Sequence, residues 1–406
     1  MQTNILADII ATPQGQEADR ILRSCVHCGF CIATCPTYQL LGDELDSPRG
    51  RIYIIKQMLE GNEVTRKTQT HLDRCLTCRS CETTCPSGVE YGKLIDIGRE
   101  IAEHRIGRSP LERMKRYALR KLIPYPQRFV VLAKLGQLAK PFLPEALKRK
   151  VPDMPKKEAR PSGSHARKML ILEGCAQSVS TPQTNSATAR ILDKLGIQTL
   201  TSAKAGCCGA VSQHLSVPAE AQDFMRRNID AWWPYVDQGA EAIISTASGC
   251  GVMLKDYGEL LKNDTEYAAK AKRVSELTRD ISEILANEDL SKLQLKPNNQ
   301  KVAFHCPCTL QHALKLNGKV ELLLQKIGFD LTKVADSHLC CGSAGTYSVL
   351  QPELSQQLLK NKLHALQQDA PDVIATANVG CQMHLATQAK VEVKHWIELL
   401  DQSSAA

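Results

Sequence analysis

Seventeen cysteines stand in this chain of 406 residues, and most fall at spacings that metal ligands use. The first run reads Cys25-x2-Cys28-x2-Cys31-x3-Cys35-Pro36, and it recurs fifty residues later as Cys75-x2-Cys78-x2-Cys81-x3-Cys85-Pro86. This is the bacterial two-cluster iron–sulfur spacing, in which the fourth cysteine ligates the other cluster. It assigns Cys25, Cys28, Cys31 and Cys85 to one [4Fe–4S] cluster, and Cys75, Cys78, Cys81 and Cys35 to a second. Two intervening residues let three thiolates wrap one corner of a cube while backbone N–H groups point at its sulfides. The following proline lacks an N–H and fixes φ, so the chain turns there and the fourth thiolate is directed away. A structural zinc site does not usually repeat this pattern. Haem attachment needs a histidine after the second cysteine, where Gly29 and Arg79 stand.

A second set of cysteines forms an internal repeat. Cys175 precedes Cys207-Cys208-Gly209 by 31 intervening residues, and Cys308 precedes Cys340-Cys341-Gly342 by the same number. Each unit closes on a strand-like run and a Gly-Cys, at Cys250 and at Cys381. One adjacent cysteine pair is compatible with plain core packing, because free cysteine is often buried. Two pairs with matched upstream and downstream cysteines argue instead for thiolate ligation of iron, with zinc or an empty thiol site as the alternative. Cys306 is a spare thiol beside Cys308.

The elements that must position these residues differ between the two halves. In the first hundred residues, Ser47-Pro48 opens a helix carried by RIYIIKQMLE and closed by Gly61, a second helix runs up to Cys75, and KLIDIGREIAEH supplies a third. Helices alternating with cysteine loops predict a helical ferredoxin-like domain over 1–105. From Lys168 onward, KMLILEG, EAIISTAS, KVAFH and PDVIATAN read as short buried strands, separated by helical segments such as PQTNSATARILDKLG and GKVELLLQKIG. That alternation predicts parallel α/β units, over 168–295 and 296–406. The fold class expected is therefore α+β multidomain: two clusters in a helical N-terminal domain, then a duplicated α/β domain.

Between them, 106–167 reads as a basic helical linker whose later part, from Pro141 to Ser164, is broken by PFLP, VPDMP and RPSGS. Residues 106–168 hold 17 Lys/Arg against 4 Asp/Glu, while the whole chain carries +8, so the remainder is net negative. Such a segment suits anionic lipid, nucleic acid or an acidic partner, or is a solvated face. No apolar run approaches the roughly 20 residues that span a bilayer. The N-terminus lacks the basic start of a secretory signal. With an odd cysteine count, secretion with disulfides is not expected, and the location expected is cytoplasmic, peripheral to a membrane. There is no G-x-G-x-x-G between a strand and a helix, and no P-loop.

The CCG repeats resemble the cysteine-rich domain shared by heterodisulfide reductases, anaerobic glycerol-3-phosphate dehydrogenases and lactate-utilisation proteins. That resemblance implies non-cubane [4Fe–4S] clusters, one or two here, held through CCG and a following CxxC. The chain departs from the pattern at Met253, three residues after Cys250, and at His384, three after Cys381; His384 and Cys306 are the candidate substitutes. Over nearly its whole length, through CVHCGFCIATCPTYQLLGDELDSPRGRI, LDRCLTCRSCETTCPSGVEY, KAGCCGAV, HCPCTLQHALKLNG and DSHLCCGSAGTYS, the chain is similar to the iron–sulfur subunits of bacterial three-subunit glycolate oxidases. The resemblance implies an electron-transfer subunit of an oxidoreductase. It also implies FAD-containing partners of D and E type that oxidise glycolate to glyoxylate in a heterotrimer, and a quinone that accepts the electrons. No nucleic-acid partner is expected. The equivalent subunit of a lactate or glycerol-3-phosphate system, and a heterodisulfide-reductase-like subunit with its own CCG chemistry, are the alternatives.

Eleven histidines are present. His27 and His71 are expected to pack or to tune solvation beside the cluster cysteines. His305, His312 and His338 are candidate hydrogen-bond donors to cluster sulfur, against a purely structural role. Trp232-Trp233 is expected in a core or a subunit interface.

Overall fold

The computed structural model describes residues 1–144, 148, 151, 154–296 and 299–404. Parts of the proline-rich stretch, residues 145–147, 149–150 and 152–153, lie outside the described residues. The chain forms two compact units: Met1–Tyr117 with Gln213–Val217 and His338–Lys362, and the remainder. These units cut across the linear boundaries read from the sequence, because the second CCG loop belongs to the first unit.

The first unit is helical. Its longer helices are Pro13–Ser24, Pro48–Leu59, Arg66–Asp73 and Tyr91–Ile106. Each of the first three begins on a hydroxyl cap: Thr12 accepts from Gly15 N, Ser47 from Gly50 N, and Thr65 pairs with Thr68 in a reciprocal box. Such caps satisfy N–H groups that a helix start leaves unpaired. The inward faces bring Ile21, Leu22, Ile55, Leu59, Leu72, Leu94 and Ile95 into one core, at 0–1% exposure, with Cys25, Cys75 and Cys81 at its edge. Burying each such aliphatic side chain contributes about 1.5–3 kcal/mol. Two later segments join this unit by side-chain contacts. Tyr347 donates its hydroxyl to the Arg74 carbonyl at 3.1 Å, and His214 Nδ1 lies 3.4 Å from Asp96 Oδ1. The start of the expected basic linker is also tied down: Arg108 and Arg116 both pair with Asp73.

The second unit holds two four-stranded parallel sheets, as the strand–helix alternation predicts. The first has the order β2-β1-β3-β4, with β1 Arg167–Ile171, β2 Ile197–Leu200, β3 Ile243–Ser245 and β4 Thr278–Asp280. The second repeats it as β6-β5-β7-β8, with β5 Lys301–His305, β6 Asp330–Leu331, β7 Val373–Thr376 and β8 Glu392–His395. Successive strand residues point to opposite faces. Ile171 and Ile244 accordingly enter a core shared with Val302, Phe304, Val373 and Trp396 of the second sheet. Leu170 and Ile243 enter a separate core with Ile229, Trp232, Leu254 and Tyr257. Trp232 is fully buried there, so it is a core residue as one of the two readings expected.

Candidate iron–sulfur sites

The two cysteine runs fold into matching loops. In the first, His27 (φ 57°) and Gly29 (φ 87°) take the left-handed conformation; in the second, Thr77 (φ 53°) and Arg79 (φ 58°) stand at the equivalent positions. Three of these are not glycine. Left-handed backbone at such residues is uncommon and concentrates where surrounding structure imposes it. Alternating hand turns successive N–H groups toward one side, the arrangement that makes an anion-binding concavity. Gly29 and Arg79 then open the short helices Phe30–Ala33 and Ser80–Thr84, which carry Cys31 and Cys81. Cys35 stands before Pro36, the first residue of helix Pro36–Leu41, while Cys85 ends helix Ser80–Thr84. Both fourth cysteines thus sit where the chain changes direction.

The eight cysteines line two neighbouring concave spaces. One cavity is lined by Cys25, Cys28, Cys31 and Cys85, with Cys81 at its edge, and a neighbouring one by Cys75, Cys78, Cys81 and Cys35. Pro48, Cys81 and Tyr91 line both and form their common wall. Desolvation pushes the Cys31 thiol up to about 11, and nearby Cys25 adds to it; burial likewise raises Cys25 and holds Cys81 well above its ordinary value. Thiols so placed are protonated when no metal competes, and binding iron releases those protons. Soft sulfur donors clustered around each concave cavity fit a [4Fe–4S] group.

The second cavity has a polar frame that the cysteine pattern did not reveal. Arg51, 1% exposed, reaches Thr37 Oγ1 at 3.2 Å and Cys35 Sγ at 4.0 Å, and its Nε donates to the His71 carbonyl. Asp46, fully buried, takes contacts from Arg51 (3.3 Å), Arg74 (2.8 Å) and His71 (3.1 Å). Arg99 donates to the carbonyls of Leu72 and Cys75 and to Thr77 Oγ1. The Tyr91 hydroxyl donates to Cys75 Sγ at 3.6 Å, and Thr77 N to the same sulfur at 3.4 Å. These groups come from helices Pro48–Leu59, Arg66–Asp73 and Tyr91–Ile106 and the turns beside them, so no spacing within the cysteine runs could have marked them. His71 has the structural role expected of it, while His27 lines the first cavity.

In the second unit, Cys175, Cys207, Cys208 and Cys250 meet. Cys207 is hydrogen-bonded to Cys175 and Cys208, and Cys250 to Cys208; these contacts, with burial, raise both Cys207 and Cys250 well above the usual thiol range. Cys250 lies in the first turn of helix Ser248–Leu260, which follows β3, where helix-end N–H groups favour a thiolate. Asn228 and Tyr257, both fully buried, clamp the CCG backbone: Asn228 Nδ2 donates to the Cys207 carbonyl at 2.8 Å, and the Tyr257 hydroxyl to the Cys208 carbonyl at 2.9 Å. Gly209 has φ +94° and leaves no room for a side chain, since a Cβ would stand 3.0 Å from the Ala221 carbonyl oxygen. Its N–H donates to Cys207 Sγ at 3.4 Å. Met253, where the resemblance leads one to look for a thiolate, is packed in the apolar core.

The second CCG repeats this local geometry: Gly342 has φ +89° and donates to Cys340 Sγ at 3.4 Å, and a Cβ would clash with the Ser355 carbonyl oxygen at 2.6 Å. Cys340 and Cys341 are buried in the first unit. Cys308, Cys381, Cys306 and His384 are buried in the second. Cys381 and His384 lie on helix Val379–Ala386 after β7, with Cys381 again in the first turn. Cys306 packs in the core shared by the two sheets. His305 is buried at the end of β5, and His312 is buried in the turn that follows Cys308.

Comparison with known proteins accords with this division. The 4Fe-4S dicluster domain matches residues 21–89, and the Cysteine-rich domain (CCG) matches twice, at 169–255 and 302–386. The chain is 56% identical, over 99% of its length and 99% of the relative's, to the "Glycolate oxidase iron-sulfur subunit" of Escherichia coli (strain K12). The chain belongs to the glycolate oxidase iron–sulfur subunit family. A "Probable glycolate oxidase iron-sulfur subunit" of Bacillus subtilis (strain 168), also of this family by description, is 31% identical over 93% of both chains. "Lactate utilization protein A" of Bacillus licheniformis is more distant, at 25% over 58% of this chain and 99% of its own. In fold, the chain is similar to a hypothetical protein from Helicobacter pylori, with a TM-score of 0.58 at 9% identity over 97% of this chain and 72% of that one. As a member of the glycolate oxidase iron–sulfur subunit family, the chain carries a two-cluster [4Fe–4S] domain followed by two CCG domains. Among the described residues, no helix is long and apolar enough to cross a membrane.

Proposed function

We propose that this chain is the electron-transfer subunit of a glycolate oxidase, and that Cys25, Cys28, Cys31 and Cys85 hold one [4Fe–4S] cluster while Cys75, Cys78, Cys81 and Cys35 hold the other. The observation that carries this reading is the pair of neighbouring cysteine-lined cavities, with Pro48, Cys81 and Tyr91 lining both. Bound there, such clusters accept and release single electrons. Glycolate becomes glyoxylate with loss of two electrons and two protons, so a flavin must divide the pair. The sequence has no dinucleotide fingerprint, and we place the flavin and the hydroxyacid site on FAD-bearing partners of D and E type. A quinone then receives the electrons at the cytoplasmic face of a membrane.

Cys175, Cys207, Cys208 and Cys250 form a further candidate metal site, supported by their mutual contacts. Sequence equivalence extends the proposal to Cys308, Cys340, Cys341 and Cys381, with Cys306 and His384 as substitutes for the missing thiolate. The test is purification of the intact complex, identification of its flavoprotein, and dye reduction with glycolate, lactate or glycerol 3-phosphate. Glycolate-specific reduction is expected. Reduction with lactate only, or purification without a flavoprotein, refutes the assignment.

A further inference from the structure

In the second unit, helix Pro126–Ala139 and the turn Lys140–Phe142 that prolongs it present an unusual surface. Val131, Leu135, Leu138 and Phe142 are 58%, 58%, 74% and 89% exposed, and Leu132, beside them, is 46% exposed. Their spacing of four, three and four residues puts them on one stripe of a helix. The opposite face is the one that packs: Ala133 is 4% exposed, and Gly136, where a Cβ would approach Val151 Cγ1 to 3.2 Å, is also inward. The helix therefore already has its contact with the protein, and the apolar stripe is a second, outward face. A row of aliphatic and aromatic side chains this exposed marks an interaction site.

The charges beside the stripe indicate what covers it. From Pro126 to Phe142 the only ionisable side chains are Arg128, Lys134 and Lys140, and the sequence continues with Lys148, Arg149, Lys150, Lys156 and Lys157 against two acids, Glu145 and Asp153. A polypeptide surface offers either sign. An apolar stripe on a helix and turn whose only charges are cationic suits a bilayer interface, where aliphatic groups enter the acyl boundary and lysines extend to anionic headgroups.

We propose that helix Pro126–Ala139 with the turn to Phe142 lies in the surface of an anionic phospholipid bilayer, Val131, Leu135, Leu138 and Phe142 inserted and Arg128, Lys134 and Lys140 at headgroup level. This deepens the membrane reading above by naming the attaching element. It is independent of which hydroxyacid the complex oxidises.

The experiment is flotation of the cluster-loaded full chain with vesicles of phosphatidylcholine, or of phosphatidylcholine with 30% phosphatidylglycerol. The wild type is expected to float with the anionic vesicles, less so with neutral ones, and less at high salt. The Leu138→Glu/Phe142→Glu variant should lose at least about tenfold in partitioning, since each substitution removes an apolar group that enters the bilayer and adds repulsion from anionic headgroups. Lys134→Gln/Lys140→Gln should weaken anionic binding while leaving neutral binding unchanged. All four residues point to solvent or are half-buried, so the cluster absorption spectrum checks that the fold is retained. Failure of the wild type to bind either vesicle, or equal binding by the Glu variant, overturns the proposal. So does a stripe that is needed for capture of the flavoprotein and not for flotation. Glycolate-dependent dye reduction by the assembled complex tests the proposed function separately, because it needs no membrane.

Discussion

Tyr91 offers a direct test of the second cavity's assignment. Its ring lines both cavities, but its hydroxyl donates to one sulfur only, Cys75 Sγ, at 3.6 Å, and the residue is 4% exposed. Tyr91→Phe keeps the ring and removes the donor. A hydrogen bond to a charged group contributes about 1.5–3 kcal/mol. Only the part that grows when the cluster gains an electron affects its potential, and that electron is spread over the whole cluster. Taking about one third of the bond as redox-dependent leaves ~0.5–1 kcal/mol, which at 59 mV per tenfold change is roughly 20–45 mV for a one-electron couple. The donor stabilises the more negative, reduced state, so its removal lowers the potential. The assay is a potentiometric titration of the cluster-loaded chain followed by electron paramagnetic resonance. One cluster, that of Cys75, is expected to shift downward by this amount while the other stays in place. An equal shift of both would mean that altered packing or hydration at the common wall dominates. No shift in either would refute the view that Tyr91 tunes this site through its hydroxyl.

Crossed ligation predicts that Cys85→Ser perturbs the same resonance as Cys28→Ser, and Cys35→Ser the same one as Cys78→Ser; the uncrossed pairing in either comparison would reject the assignment. Asp46→Asn removes the carboxylate that balances Arg51 in a fully buried site, and breaking such a pair costs about 3–5 kcal/mol, so the denaturant midpoint for loss of cluster absorbance should fall well below wild type. An unchanged midpoint would show that Arg51 is compensated elsewhere. His395 is fully buried, donates from Nε2 to the Thr246 carbonyl at 2.8 Å and accepts from Ile397 N at Nδ1; burial depresses it to about 3. Its folded value lies below the unfolded 6.5, so the stability it contributes is present above pH 6.5 and is lost as pH falls toward 3. The slope is about 1.4 kcal/mol per pH unit. Between about pH 6.5 and 5, wild type should therefore lose about 1.6 kcal/mol relative to His395→Gln in unfolding followed by tryptophan fluorescence; parallel curves would contradict this. Glu398, raised to about 7 by burial, acts in the opposite sense, contributing below 4.5 and losing its effect as pH rises through 7, which is why the comparison is made between variants and not from the wild-type curve.

The sequence by itself was enough to mark the first hundred residues as a two-cluster [4Fe–4S] domain. A tandem x2-x2-x3-Pro cysteine pattern restricts donor type, donor number and the direction of the fourth ligand, and these are local properties of a short loop. The same holds for the strand–helix alternation: KMLILEG and KVAFH are short apolar runs between helical segments, suited to buried strands, and they became β1 and β5. The CCG glycines were legible as a motif, though their reason, a positive φ against the carbonyls of Ala221 and Ser355, is visible only in three dimensions. Tertiary structure alone decided the rest. Arg51 and Asp46, from helix Pro48–Leu59 and the short turn before it, meet Tyr91 and Arg99 of helix Tyr91–Ile106 beside the second set of cysteines, and Asn228 and Tyr257 reach the first CCG from elements further along the chain, so no local spacing relates them to the cysteines. The exposed stripe at Val131–Phe142 is the clearest case. The apolar positions of that helix look like an ordinary buried face, and only the packing of Ala133 and Gly136 shows that the protein uses the other side. Spacing is set by covalent geometry and travels with the sequence; partnership between distant side chains is set by how the cores pack.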